Sequence, residues 1–142
     1  MKILWPILTA LTAALIFYSS SMPGEDSGNA SLAITLWVQR VIPISDDALH
    51  FLIRKAAHFF VYAVLAFNLA HSLKFHFANK KAVLLTAWFC ATVFGVTDEI
   101  HQFFTPGRVM SVMDMGINSA GALLGAVVVY WIITRYNSLT SI

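Results

Sequence analysis

The chain has 142 residues, of which 58% are hydrophobic and 11% charged, with a formal net charge of +2 and a mean hydropathy of +0.74. Soluble domains carry roughly 25% charged residues, so this composition excludes an ordinary soluble fold and describes an integral membrane protein. The small, scattered positive charge gives no footing for nucleic-acid binding, the length suits one domain over residues 1–142, and the lone Cys90 excludes an internal disulfide.

Four apolar runs approach the roughly 20 residues that cross a bilayer: about 3–18, 56–73, 82–102 and 112–134. They predict an all-α polytopic bundle. The first run is short, follows Lys2 and precedes Ser19, Ser20 and Ser21, so a cleaved signal peptide competes with a membrane span, although no clear Ala-x-Ala site is present. Residues 22–29, with Pro23, Gly24 and Gly28, read as a turn-rich loop. The next stretch, 31–42, repeats Ser31, Thr35 and Gln39 on one face and predicts a short interfacial helix in this first outer loop, stopped by Pro43. Ser45 resembles an N-cap ahead of Asp46 and Asp47, which starts the second helix well before the lipid core.

Orientation follows the basic residues near the helix ends. Lys2, Lys74, Lys80, Lys81 and Arg135 fall on one side, against Arg40, Arg54, Lys55 and Arg108 on the other. Trp5, Tyr130 and Trp131 mark the first side as an aromatic belt. Both termini are therefore expected in the cytoplasm of a cell-membrane protein, with Glu25, Asp26, Asp46, Asp47, Asp98, Glu99 and Asp114 all at the outer end or beyond.

Ionisable groups at membrane depth cost roughly 2.5 to 3.5 kcal/mol each, so they normally face one another and mark a functional site. At 100° per residue, Asp47, His50, Arg54, His58 and Tyr62 fall within about 120° of the second helix, with Lys55 at the edge. Gly95, Asp98, Glu99 and Gln102 share about 100° of the third helix, with His101 just outside. Ser111, Asp114, Asn118, Gly121 and Gly125 share about 80° of the fourth. The short connection containing Pro106 and Gly107 makes the third and fourth helices antiparallel neighbours and brings Glu99 and Asp114 to one end. Arg108, on that connection, is placed to bridge to either carboxylate. Gly121 and Gly125 offer a flat patch for another helix.

Three segments carry a family resemblance. Lys55, His58, Phe59 and Tyr62 form a Lys-x-x-His-Phe-x-x-Tyr motif. Asp98, Glu99, Gln102, Phe104 and Arg108 form Asp-Glu-x-x-Gln-x-Phe-x-x-x-Arg, and Asp114, Asn118 and Gly121 form Asp-x-x-x-Asn-x-x-Gly. In this order and spacing the chain resembles the VanZ-like family from Lys55 onward, whereas the first span and its loop carry no diagnostic residue. The resemblance implies a small helical membrane protein, and the founding member is linked to low-level resistance to the lipoglycopeptide teicoplanin. Its motif positions carry over to Lys55, His58, Tyr62, Asp98, Glu99, Gln102, Arg108, Asp114, Asn118 and Gly121.

Single residues have plain structural accounts: an Arg108 salt bridge that pins the loop, a hydrogen-bonded core histidine at His58, glycines that only pack. Together they exceed what packing requires. The leading expectation is an outward-facing pocket that engages the phosphate or sugar headgroup of a membrane lipid or lipid-linked envelope intermediate. Arg108, Lys55 and Arg54 would hold the anion, while Asp114, Asn118, Gln102, Asp98 and Tyr62 orient those cations and bind hydroxyls. His58 and Glu99 would be the catalytic pair, exchanging a proton, if there is turnover. Competing readings are a non-catalytic resistance or envelope factor and a metal-dependent hydrolase with His58, Glu99 and Asp114, joined by His101, as ligands. Without a His-Glu-x-x-His spacing, no metal or other cofactor is assigned. Four spans are few for a transporter, unless the chain forms a homo-oligomer.

Overall fold

The structure, a computed structural model, describes residues 2–39 and 45–139. It is all helical among those residues: α1 (Leu4–Ser21), α2 (Gly24–Gln39), α3 (Asp46–Leu73), α4 (Lys80–Phe103) and α5 (Val112–Leu139). Four of them, α1, α3, α4 and α5, are long and apolar enough to cross a membrane. Their outward faces carry large apolar side chains such as Leu11, Phe17, Phe60, Phe89 and Trp131, as a lipid-facing surface requires when every backbone polar group is satisfied within its own helix.

Each span is longer at one or both ends than its apolar core, because polar residues continue the helix past the lipid-like stretch. α3 begins at Asp46, ten residues before the apolar run. Ser45 takes the N-cap position with extended backbone (φ −59°, ψ 141°), but its side chain makes no capping hydrogen bond. Asn79 does cap α4, its side chain accepting from Lys81 N–H at 2.9 Å.

One element differs from the sequence expectation. The helix expected over 31–42 runs instead over Gly24–Gln39, so most of the stretch read as a loop is helical. The reason is tertiary. Gly24 N–H donates to Pro106 O at 2.9 Å, which fastens the start of α2 to the connection between α4 and α5 and outweighs the poor helix propensity of Gly24 and Gly28. At 16 residues α2 is about 24 Å long, short of the roughly 30 Å hydrocarbon core. It packs on α3, buries Thr35 and leaves Leu32, Leu36 and Trp37 exposed. Arg40 and the expected stop at Pro43 lie outside the described residues.

Helix directions follow from paired contacts. Thr9 meets Ser72 and Thr12 meets Asn68, so α1 and α3 are antiparallel. Lys55 meets Asp114 and His58 meets Asn118, so α3 and α5 are parallel, with α4 antiparallel to both. Small residues form the seam: Ala66, Ala70, Ala87, Ala91, Ala122 and Ala126 are all buried. Without a hydrophobic drive between helices in lipid, such residues allow the close backbone approach on which association depends. Gly121 and Gly125 are the tightest points, facing the Phe59 and Ala63 carbonyl oxygens of α3.

This topology collects the C-terminal ends of α1 and α4 with the N-terminal ends of α3 and α5 at one end of the bundle, together with Asp98, Glu99 and Asp114. The opposite end holds Lys2, Lys74, Lys80, Lys81 and Arg135. There Trp5 stacks on His71 at 4.1 Å between ring centroids, and Arg135 lies over Trp131 at 5.4 Å.

Candidate functional site

The polar end is shaped by the turn after α4. Thr105, Pro106, Gly107 and Arg108 form a tight turn closed by Arg108 N–H donating to Thr105 O at 3.1 Å. Proline fits its second position, and Gly107, with φ +72°, takes the left-handed conformation needed at the third. This turn aims Arg108 back over the bundle. Its Nη2 donates to Ser19 O at 2.7 Å and its Nε to Met22 O at 3.3 Å, with a longer contact of 3.5 Å from Nη1 to Gln102 Oε1. Arg108 therefore satisfies carbonyls at the end of α1, and forms no ion pair with Glu99 or Asp114. The expected bridge fails because the turn points the guanidinium toward α1 rather than α5.

A cavity of about 260 Å³ opens beside it. Arg54, His58 and Tyr62 of α3, Asp98 and Gln102 of α4, and Arg108 line it, closed on the far side by Leu15, Ile16, Ser19 and Ser20 of α1. The cavity thus gathers six of the ten expected site residues. Gln102 is buried, its Nε2 donating to Asp98 Oδ2 and Ser20 Oγ, both at 3.2 Å. The Tyr62 hydroxyl and Asp98 Oδ1 are buried without a hydrogen-bond partner among the described residues. Neither Arg54 nor Arg108 makes an ion pair among the described residues. Burial, and then the neighbouring charge of Arg54, pull the Arg108 guanidinium below its ordinary value, while Asp98 and Glu99 oppose the shift. Two guanidiniums against one carboxylate leave the lining with a surplus positive charge.

The remaining four expected residues sit behind the cavity wall, toward α5. Lys55 Nζ meets Asp114 Oδ1 at 2.5 Å, so Lys55 is bound to a carboxylate and does not line the cavity with the arginines. Ser111 Oγ accepts from Asp114 N–H at 3.2 Å and begins α5. Glu99 is fully buried, and its Oε2 accepts from Ser111 N–H at 3.0 Å. His58 stands between the two groups. Its Nδ1 is 3.1 Å from Asn118 Oδ1 and 3.9 Å from Glu99 Oε1, while the same ring lines the cavity. His58, Glu99 and Asp114 each offer a donor atom within 4.8 Å of the others.

Other polar residues are not brought in. His101 turns toward α1, with Nε2 at 3.0 Å from Ser21 Oγ and its ring stacked on Phe17, so it cannot join the His58 cluster. Asp47 is exposed and His50 only half-buried, which leaves the outer part of the α3 stripe outside the site. The contribution of α1 was not foreseen. Ser19 and Ser20 suggested processing rather than a cavity wall, and nothing in the spacing of an almost wholly apolar helix reveals which carbonyls a distant arginine will reach.

The fold and the polar end define a multi-pass helical membrane protein with an open, charged cavity at one end of its bundle. The chain belongs to the VanZ/LLP1 family, whose model matches residues 5–134, nearly its whole length. No curated protein and no solved structure gives a significant match.

Proposed function

We propose that the cavity binds the phosphate-bearing headgroup of a membrane lipid or lipid-linked envelope intermediate. The observation that carries this reading is the pairing of Arg54 and Arg108 in one cavity lining with only Asp98 against them. Like charges held together at low dielectric favour an anion between them. Arg108 spends three of its five N–H donors on protein oxygens, leaving two and its full charge for a ligand. Apolar Leu15, Ile16, Ala57 and Val61 in the same lining suit the acyl or isoprenoid part of such a molecule.

His58 is the group placed to move a proton at a bound headgroup. If its Nδ1–H donates to Asn118, Nε2 carries the lone pair, and Glu99 behind it stabilises the ring when it gains charge. Turnover would make this an enzyme of headgroup hydrolysis or transfer; without it the same site is a binding factor. In the orientation set by the basic end, the cavity faces the outer side of the cell membrane. A lipid-linked precursor held there would change susceptibility to glycopeptides such as teicoplanin, which act on that surface.

The test is lipid identification by mass spectrometry on protein purified in mild detergent, comparing wild type with Arg54→Gln. An anionic lipid enriched in wild type and depleted in the variant supports the reading; identical profiles refute it. Glu99→Gln then separates the two modes, because a binding factor keeps its lipid and an enzyme accumulates unprocessed substrate.

A further inference from the structure

Behind His58 the charge balance reverses. Arg54 and Arg108 outnumber Asp98 in the cavity lining, but on the α5 side Glu99 and Asp114 face Lys55 alone. Lys55 is committed to Asp114 Oδ1, so Glu99 has no cation of its own. Glu99 Oε1 is fully buried and has no hydrogen-bond partner among the described residues. His58 Nδ1 lies 3.9 Å from it, too far for a hydrogen bond. Beside them Asn118, also fully buried, leaves its Nδ2 unpartnered. A buried carboxylate oxygen in that state is costly unless a cation or a proton meets it.

We infer that His58, Glu99 and Asp114 form a binding site for a divalent transition-metal cation, with zinc the best match. One imidazole nitrogen and two carboxylates suit zinc, whereas magnesium and calcium prefer oxygen alone. Donors sharing one tetrahedral zinc, at 2.0 to 2.2 Å each, stand about 3.4 Å apart. The donor atoms here lie within 4.8 Å of one another, so no pair needs to close by more than about 1.4 Å, a movement that side-chain rotation supplies. Lys55 holds only one oxygen of Asp114, so the carboxylate keeps a second that a cation can take. Asn118 turns its amide so that the oxygen no longer faces a metal-bound Nδ1. Three protein donors leave a coordination position open, and the His58 Nε2–H then points to the cavity as a donor. The inference goes beyond headgroup binding and does not depend on it, because metal uptake is read with zinc alone.

The experiment uses full-length protein in detergent micelles, stripped with chelator and titrated with Zn²⁺ against a chromophoric competitor. Bound metal is counted by elemental mass spectrometry. One zinc per chain is expected, and Glu99→Gln and Asp114→Asn, checked as folded by circular dichroism, should each weaken binding roughly tenfold or more. A second readout avoids variants that fail to fold: Co²⁺ taken up by the wild type should show the ligand-field spectrum of a low-coordinate nitrogen and oxygen site. Absence of saturable uptake by folded wild type overturns the assignment. So does uptake unaffected by both folded variants, or a Co²⁺ spectrum like that of the hydrated ion.

Discussion

Gly121→Ala probes the contact on which the geometry of the polar end depends. A Cβ at position 121 would drive into the Phe59 carbonyl oxygen of α3, with Phe59 C at 2.9 Å and Cα at 3.1 Å. All three obstacles are main chain, so no rotamer change relieves them and α5 must move off α3. Ordinary van der Waals contact then requires a separation of the order of 1 Å, and such overpacking costs about 1 to 3 kcal/mol. His58 to Asn118 at 3.1 Å and Lys55 to Asp114 at 2.5 Å lie about one and two turns from this contact along the same pair of helices, so the same movement lengthens both. Gly116 on the same helix is the control, because a Cβ there meets nothing within 4 Å. Gly116→Ala should gain up to about 1 kcal/mol of helix propensity, so the two variants should differ by about 1 to 4 kcal/mol. Reversible unfolding in mixed micelles, followed by circular dichroism, measures the difference. Equal stability of the two alanine variants would refute the close α3–α5 approach.

Arg108→Lys should destabilise the protein by about 1 to 2 kcal/mol, since a lysine cannot reproduce the fork that reaches both Ser19 O and Met22 O; an unchanged unfolding midpoint would show that those bonds do not hold α1. Tyr62→Phe removes a buried hydroxyl that has no partner among the described residues, so stability should be unchanged or rise by about 1 kcal/mol; a loss on unfolding titration would reveal a partner for that hydroxyl within the cavity. Burial lowers the Lys74 ammonium from its ordinary value of 10.5, so the unfolded chain binds the proton more readily than the folded one between the folded value and 10.5. Stability should therefore rise with pH as the folded value is passed, and Lys74→Gln should flatten that slope in melts taken across alkaline pH; an unaltered slope would contradict the assignment.

The spans and the shared polar end could be read from the sequence because each rests on local periodicity. Apolar runs gave α1, α3, α4 and α5, and helical spacing put His58, Glu99 and Asp114 on faces that the short turn at Pro106 and Gly107 could bring together. Partner choice could not be read the same way. Arg108 had two acids within plausible reach, yet a glycine with positive φ turned it toward the carbonyls of α1. Lys55 and Arg54 are adjacent in sequence, about 100° apart on the helix, and that rotation sends one to Asp114 and the other to the cavity. Gly24 and Gly28 argued for a loop, and only the hydrogen bond from Gly24 to Pro106, between residues far apart in sequence, explains why a helix starts there.

The status of the first span now has a structural argument that composition could not supply. Lys2, a short apolar run and three serines suit a leader peptide as well as a span. In the folded molecule, however, α1 antiparallel to α3 pairs Thr9 with Ser72 and Thr12 with Asn68, and both of those α3 residues are buried. Its last turn accepts hydrogen bonds from Gln102, Thr105 and Arg108, and its side chains close one wall of the cavity. Cleavage after Ser21 would expose Asn68 and Ser72 to lipid, strip Arg108 of the Ser19 carbonyl and open the lining on the α1 side. Asn68 and Ser72 lie within a span, where no water replaces the missing partner. α1 therefore supplies one wall of the cavity and partners for Asn68, Gln102, Thr105 and Arg108, so a helix that carries none of the three motifs still shapes the site they form.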